Sequence, residues 1–144
     1  MKVILLLSLT ILLSSCGDSH IVNDPRGSFQ PISVSCQMLF RSEHLCLKYE
    51  WELMPTDAAV GSMILTFTDE VHPDRQVSPV SEPFVVLWMT SMGHGSSPVT
   101  VEPIGPGKYR VKDVFFIMPG PWDLKFQLRD GIRVIEEVTQ SIEI

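Results

Sequence analysis

The chain has 144 residues, a net charge of -6, a pI near 5.1 and no basic cluster. A phosphate backbone demands a cationic surface, so this balance argues against nucleic acid as a partner. A domain of ordinary size with a real hydrophobic core fits within this length.

Met1 and Lys2 lead into the apolar run Val3 to Leu13, followed by Ser14-Ser15-Cys16-Gly17. One basic residue, a short apolar core and small residues at the cut predict a secretory signal. The run is shorter than the roughly 20 residues a spanning helix needs. Leu13-Ser14-Ser15-Cys16 resembles the lipobox of bacterial lipoproteins, which implies cleavage after Ser15 and lipidation of Cys16. The expected division is a signal peptide over Met1 to Ser15, a polar lipidated tether over Cys16 to Pro31, and one domain over Ile32 to Ile144. The implied location is the cell envelope, on the periplasmic side of a bacterial membrane. Gly17 is not an aspartate-type retention signal, which leans towards the outer membrane.

Three cysteines are present. With Cys16 lipidated, Cys36 and Cys46 remain, and an oxidising compartment predicts a disulfide between them across a turn near Phe40 to Glu43. A metal-binding pair is the rival reading, although the spacing is unlike close cysteine motifs. The parity of the two runs also conflicts: Cys46 falls with Lys48, Glu50 and Glu52, and Cys36 with Val34 and Met38. A bulge or a register shift is therefore expected.

Glu43 to Leu53 alternates cleanly, with Leu45, Leu47, Tyr49, Trp51 and Leu53 on one face. Val60 to Glu70 is a second strand, and the polar loop Val71 to Arg75 carries a solvated His72. Phe84 to Met89 is continuously apolar and predicts a strand buried on both faces or at the centre of a sheet. Strands follow over Pro98 to Pro103, Lys108 to Val111 and Val114 to Met118. Trp122 to Arg129 alternates again, Asp130-Gly131 turns the chain, and Arg133 to Ile144 is the last strand. Roughly seven to eight short strands without helical periodicity predict an all-β, immunoglobulin-like β-sandwich.

The stretch Trp88-Met89-Thr90-Ser91-Met92-Gly93-His94-Gly95 carries the chemistry. Thioether sulfur is soft and imidazole borderline, so Met89, Met92 and His94 together suit Cu(I) better than a hard cation. The alternative is a pair of core-filling methionines beside a tight Gly-His-Gly turn. No nucleophile elbow, phosphate loop or zinc-protease motif is present, and no enzyme is expected.

Met89-x-x-Met92-Gly93-His94-Gly95, Gly107-x-Tyr109 and Met118-x-Gly120-x-Trp122-x-Leu124 together resemble the FixH and YtkA-like family of small extracytoplasmic domains. The likeness runs from about Pro83 to Arg129. It implies an immunoglobulin-like sandwich, a copper cofactor, and partnership with a membrane copper enzyme or its assembly factor. By the same resemblance the metal ligands are Met89, Met92 and His94, with Met118 as a possible fourth. Thr90 stands where relatives often have proline after the first methionine, which leaves the loop less rigid. The competing expectation is a lipoprotein that binds no metal and docks on a membrane complex.

Overall fold

The computed structural model describes residues 36–56 and 59–144. The expected signal peptide and tether, with the expected lipidation position Cys16, lie outside the described residues. The described residues form nine strands: β1 Met38–Phe40, β2 Leu45–Leu53, β3 Gly61–Asp69, β4 Glu82–Met89, β5 His94–Gly95, β6 Thr100–Gly105, β7 Lys108–Val114, β8 Pro121–Asp130 and β9 Arg133–Glu143. They form a five-stranded sheet in the order β1-β2-β3-β7-β6 and a four-stranded sheet in the order β5-β4-β8-β9. Every pairing is antiparallel. Apart from β1, this is the immunoglobulin arrangement of one four-stranded sheet facing another, with a short strand beside the first strand that crosses between sheets.

The core follows from alternation. On β8, Trp122, Leu124, Phe126 and Leu128 point inward and are buried; on β3, Met63, Leu65 and Phe67 do the same from the facing sheet. Phe116 packs edge-on against Trp122, and Tyr49 packs against Phe126. Strand β2 keeps Leu45 and Leu47 buried, but a register shift between Trp51 and Leu53 turns Leu53 out to solvent, against the expectation from parity.

Three further readings are corrected. Strand β4 is an inner strand of its sheet, between β5 and β8, as expected, but it is not buried on both faces: Val85, Leu87 and Met89 are buried, whereas Phe84, Val86 and Trp88 lie half-buried on the outer face. There the Arg129 guanidinium stacks 3.5 Å from the Phe84 centroid and the Lys125 ammonium sits 5.4 Å from that of Trp88. Long cationic stems thus shield an apolar row that no described strand covers. The apolar run Val114 to Met118 is not a strand: Val114 closes β7, Asp113 takes a positive φ of 62°, and the next residues form a loop that drops Phe116 into the core. The sequence reading also missed β5, which is too short to show a period.

Cys36 and Cys46 form a disulfide with Cα atoms 5.3 Å apart. The parity conflict is resolved before β1 begins: a bend at Gln37 releases Cys36 from the alternation of Met38 and Phe40. Cys46 itself is buried, flanked on its strand by buried Leu45 and Leu47. The bond fits an oxidising, extracytoplasmic compartment. No helix among the described residues is long and apolar enough to cross a membrane.

Candidate functional site

Strand β4 ends at Met89, and a four-residue loop, Thr90 to Gly93, returns the chain to His94 on β5. The N–H groups of Met92 and Gly93 both donate to the Met89 carbonyl, at 3.2 and 3.0 Å, and Gly93 takes φ 68°. A tight loop closing in the left-handed region is where glycine is required, and hairpin loops of this length are commonly built this way. The result is that Met89 and His94 are direct cross-strand partners. Paired residues of an antiparallel ladder present their side chains to the same face, so the thioether and the imidazole share the inner side of the sheet.

The three candidate donors differ in exposure. Met89 is 2% exposed and belongs to the core, whereas His94 is half-buried at the sheet edge and Met92, in the loop, is 58% exposed. The His94 Nδ1 lies 3.3 Å from the Gly95 carbonyl oxygen. A carbonyl can only accept, so Nδ1 carries the proton in this contact and Nε2 of the neutral ring presents its lone pair. That division of roles is the usual one for a metal-binding imidazole.

A third segment meets them. Met118 is half-buried against the core, and a methyl added at Gly120 would stand 3.6 Å from the Met89 Cε. The β7–β8 loop therefore runs over the end of the Met89 side chain. Its path is fixed by Trp122, fully buried, whose indole Nε1 donates to the Met118 carbonyl at 3.0 Å. This resembles the tyrosine corner of immunoglobulin domains, an aromatic at the start of a strand tied to backbone just upstream. The Ser96 hydroxyl donates to the Phe115 carbonyl and joins the loop to the residues after β5.

On the opposite face the loop is anchored by Asp123. Its carboxylate accepts from the Thr90 hydroxyl at 2.6 Å and the Ser141 hydroxyl at 2.7 Å, and these bonds hold its pKa below the ordinary aspartate range. Trp88 lies across Gly95, which has no room for a side chain: a methyl there would sit 2.9 Å from the Leu87 carbonyl. The sequence singled out Met89, Met92 and His94, and the resemblance added Met118; Gly95 and Trp122 stood in the quoted motifs without a role, and Asp123 was read only as an outward-facing residue.

Among the described residues, no group of three His, Cys, Asp or Glu side chains is placed to hold a metal ion. The cross-strand pair of Met89 and His94 is the soft and borderline donor set that the strand register brings together. Leu53, Met54, Val60, Met92, Ile117 and Ile144 are exposed apolar side chains. A cavity of about 410 Å³ opens beside Met118, lined also by Pro55, Phe115, Pro119 and Ile144. Comparison with protein-family models, curated proteins and solved structures gives no match for this chain.

The charged residues elsewhere serve the surface. Asp69 accepts from the Val71 and His72 N–H groups and pairs with Arg75, which lowers its pKa strongly and closes the loop after β3. His72, expected to be merely solvated, contacts the same carboxylate at 3.2 Å. Arg110 binds Glu52 through two nitrogens across the strand between them.

Proposed function

We propose that this is a lipid-anchored, extracytoplasmic copper-binding or copper-enzyme assembly accessory. In this reading Met89, Met92 and His94 hold Cu(I), with Met118 available from the facing loop. The observation that carries it is the direct pairing of Met89 with His94, which puts a soft and a borderline donor on one face with the imidazole Nε2 lone pair uncommitted. Soft donors without a carboxylate in the set favour Cu(I) over divalent hard ions. Bound there, copper would be cargo or cofactor held at an apolar rim, where a receiving protein can approach. Resemblance to the FixH and YtkA-like family supports the same reading, as does the lipobox for attachment through Cys16. The proposed site of action is the cell envelope, with a membrane copper enzyme or its assembly factor as partner.

The test is titration of Cu(I) under anaerobic conditions against a chromogenic chelator. Saturation at one equivalent, lost on His94→Ala, is the expected result; no competition with the chelator overturns it.

A second reading has its own observation. The exposed Ile117 and Ile144 line the Met118 cavity, and an apolar surface of this kind suits a protein contact without metal. Under that reading Cu(I) does not bind, and Ile117→Asp abolishes association with a membrane complex.

A further inference from the structure

Among the described residues the two sheets end in four edge strands, and three of them are blunted. Strand β1 has three residues and β5 two; β6 carries Pro103 and a register break between Pro103 and Gly105. Short strands, proline and irregular register are the devices that stop an edge from recruiting another strand. Strand β9 has none of them beyond its first turn: it runs for 11 residues, and from Glu136 to Glu143 its register on β8 is unbroken. It contains no proline or lysine. Among the described residues no strand pairs with its outer side.

Part of that edge is occupied. The N–H groups of Arg41 and Ser42 donate to the Glu136 carboxylate at 3.0 and 2.8 Å, so the β1–β2 turn sits over this end of β9. The far half is the open one, and its backbone direction can be fixed. Gly120 and Ile144 exchange both backbone hydrogen bonds, at 2.8 and 3.0 Å. In an antiparallel ladder successive residues turn their N–H and C=O to opposite sides. Ile142, Gln140 and Val138 therefore bond towards β8, and Glu143, Ser141 and Thr139 direct theirs to the open edge. Pro121 stands opposite Glu143, a position that asks no N–H of it.

We propose that this half of β9 pairs antiparallel with the same strand of a second copy, about a two-fold axis at Ser141. In that register Ser141 faces its own counterpart and Thr139 faces Glu143, so the pairs whose backbone groups point outward meet and can exchange hydrogen bonds. The charge pattern selects this orientation. Each Glu143 carboxylate meets a threonine hydroxyl, whereas parallel pairing would stack Glu143 on Glu143 and Glu137 on Glu137, and like charges directly opposite are destabilising. The register also keeps the second copy clear of the Glu136 turn. It joins the two four-stranded sheets into one, in the isologous manner of two-fold dimers.

The test is the protein mass of the detergent-solubilised full chain by sedimentation equilibrium across a wide concentration range. The parent rises to about twice the monomer mass with concentration. Ser141→Pro, which deletes an edge-facing N–H but no bond to β8, stays monomeric with an unchanged circular dichroism spectrum. Ser141→Ala loses the hydroxyl contact to Asp123, keeps the N–H and still dimerises. If Ser141→Pro fails to fold, Ser141→Lys decides, because it sets two ammonium groups against each other on the axis and must also stay monomeric. A parent that is monomeric at every concentration, or folded proline or lysine variants that dimerise like the parent, overturns the proposal.

Discussion

Trp88 and Gly95 face each other across β4 and β5, and the indole lies over the glycine, its nearest carbon 3.5 Å from where a methyl on Gly95 would stand. Aromatic cover over a strand glycine is a known way to steady a sheet edge. Here it holds the strand that carries His94. The Leu87 carbonyl, 2.9 Å from a methyl built on Gly95, also accepts from the Ser96 N–H at 3.0 Å, so neither group can yield without breaking the short strand. Gly95→Ala is expected to destabilise the protein by roughly 1 to 3 kcal/mol and to release β5 from β4. Chemical denaturation gives the first number, and amide exchange at Ser96 reports the second; an unchanged Ser96 amide contradicts this account.

The disulfide gives a prediction about the unfolded chain. Cys36 and Cys46 are separated by 10 positions, and closing so small a loop contributes about 2 to 3 kcal/mol by restricting the denatured ensemble. Replacing both cysteines with alanine should lower the urea midpoint accordingly, with a further small loss from the buried Cys46 sulfur. Matching the reduced parent to the double variant separates these two contributions.

Strand identity was legible where one face is buried and the other wet, as in Trp122 to Arg129, because the pleat writes that contrast into alternate residues. It was less legible at Val114 to Met118, where apolar residues cap the open end of the sandwich. Phe116 enters the core and Ile117 stays in water within one loop, with no period to read. Gln127 is buried on a polar face because it joins Glu137 to Arg129, a relation between three strand positions that no local pattern carries. The donors were readable as a cluster of soft residues. That Met89 and His94 become cross-strand partners follows from the loop length and Gly93, a signal present in the sequence but weak without knowing that β5 exists.

Asp123 makes the β4–β5 loop sensitive to acid. Hydrogen bonds first from Thr90 and then from Ser141 favour its charged form, so its folded pKa lies below the unfolded value. A carboxylate shifted this way adds stability above the ordinary aspartate range, and that contribution is lost as pH falls through the folded value. Asp123→Asn should therefore show a flatter fall in stability than the parent as pH drops below the ordinary aspartate value of about 4, while the two differ least at the acid end. Melting curves across that interval check the sign; a steeper fall in the variant would refute it.

Trp122 sets the path of the loop that bears Met118. Replacing it with phenylalanine removes the donor to the Met118 carbonyl and opens space in a fully buried position. Loss of one hydrogen bond plus a partial cavity is expected to cost about 2 to 4 kcal/mol. Nuclear magnetic resonance of methyl-labelled methionine should show Met118 becoming mobile while Met63, buried in the opposite sheet, keeps its line width. Equal broadening of both methyls would mean a general loosening of the core instead.

The Cu(I) reading ranks the four donors. His94 supplies the strongest, and its Nε2 is the free ring nitrogen, so His94→Ala should reduce Cu(I) affinity more than any single methionine change. Met92 is exposed, and Met92→Leu tests ligation without touching the core. Met89 is buried, so Met89→Leu is a nearly volume-conserving swap that costs under roughly 1.5 kcal/mol of stability and leaves a folded protein in which a lost affinity means a lost sulfur ligand. Met118→Leu lowers affinity only if its thioether completes the set. Acid should weaken binding in the parent, because the proton and the metal compete for the same lone pair, and should have little further effect in His94→Ala. If Cu(I) affinity is the same for the parent, Met89→Leu, Met92→Leu and His94→Ala, these residues are core and turn elements, and the apolar end of the sandwich is left as a protein contact.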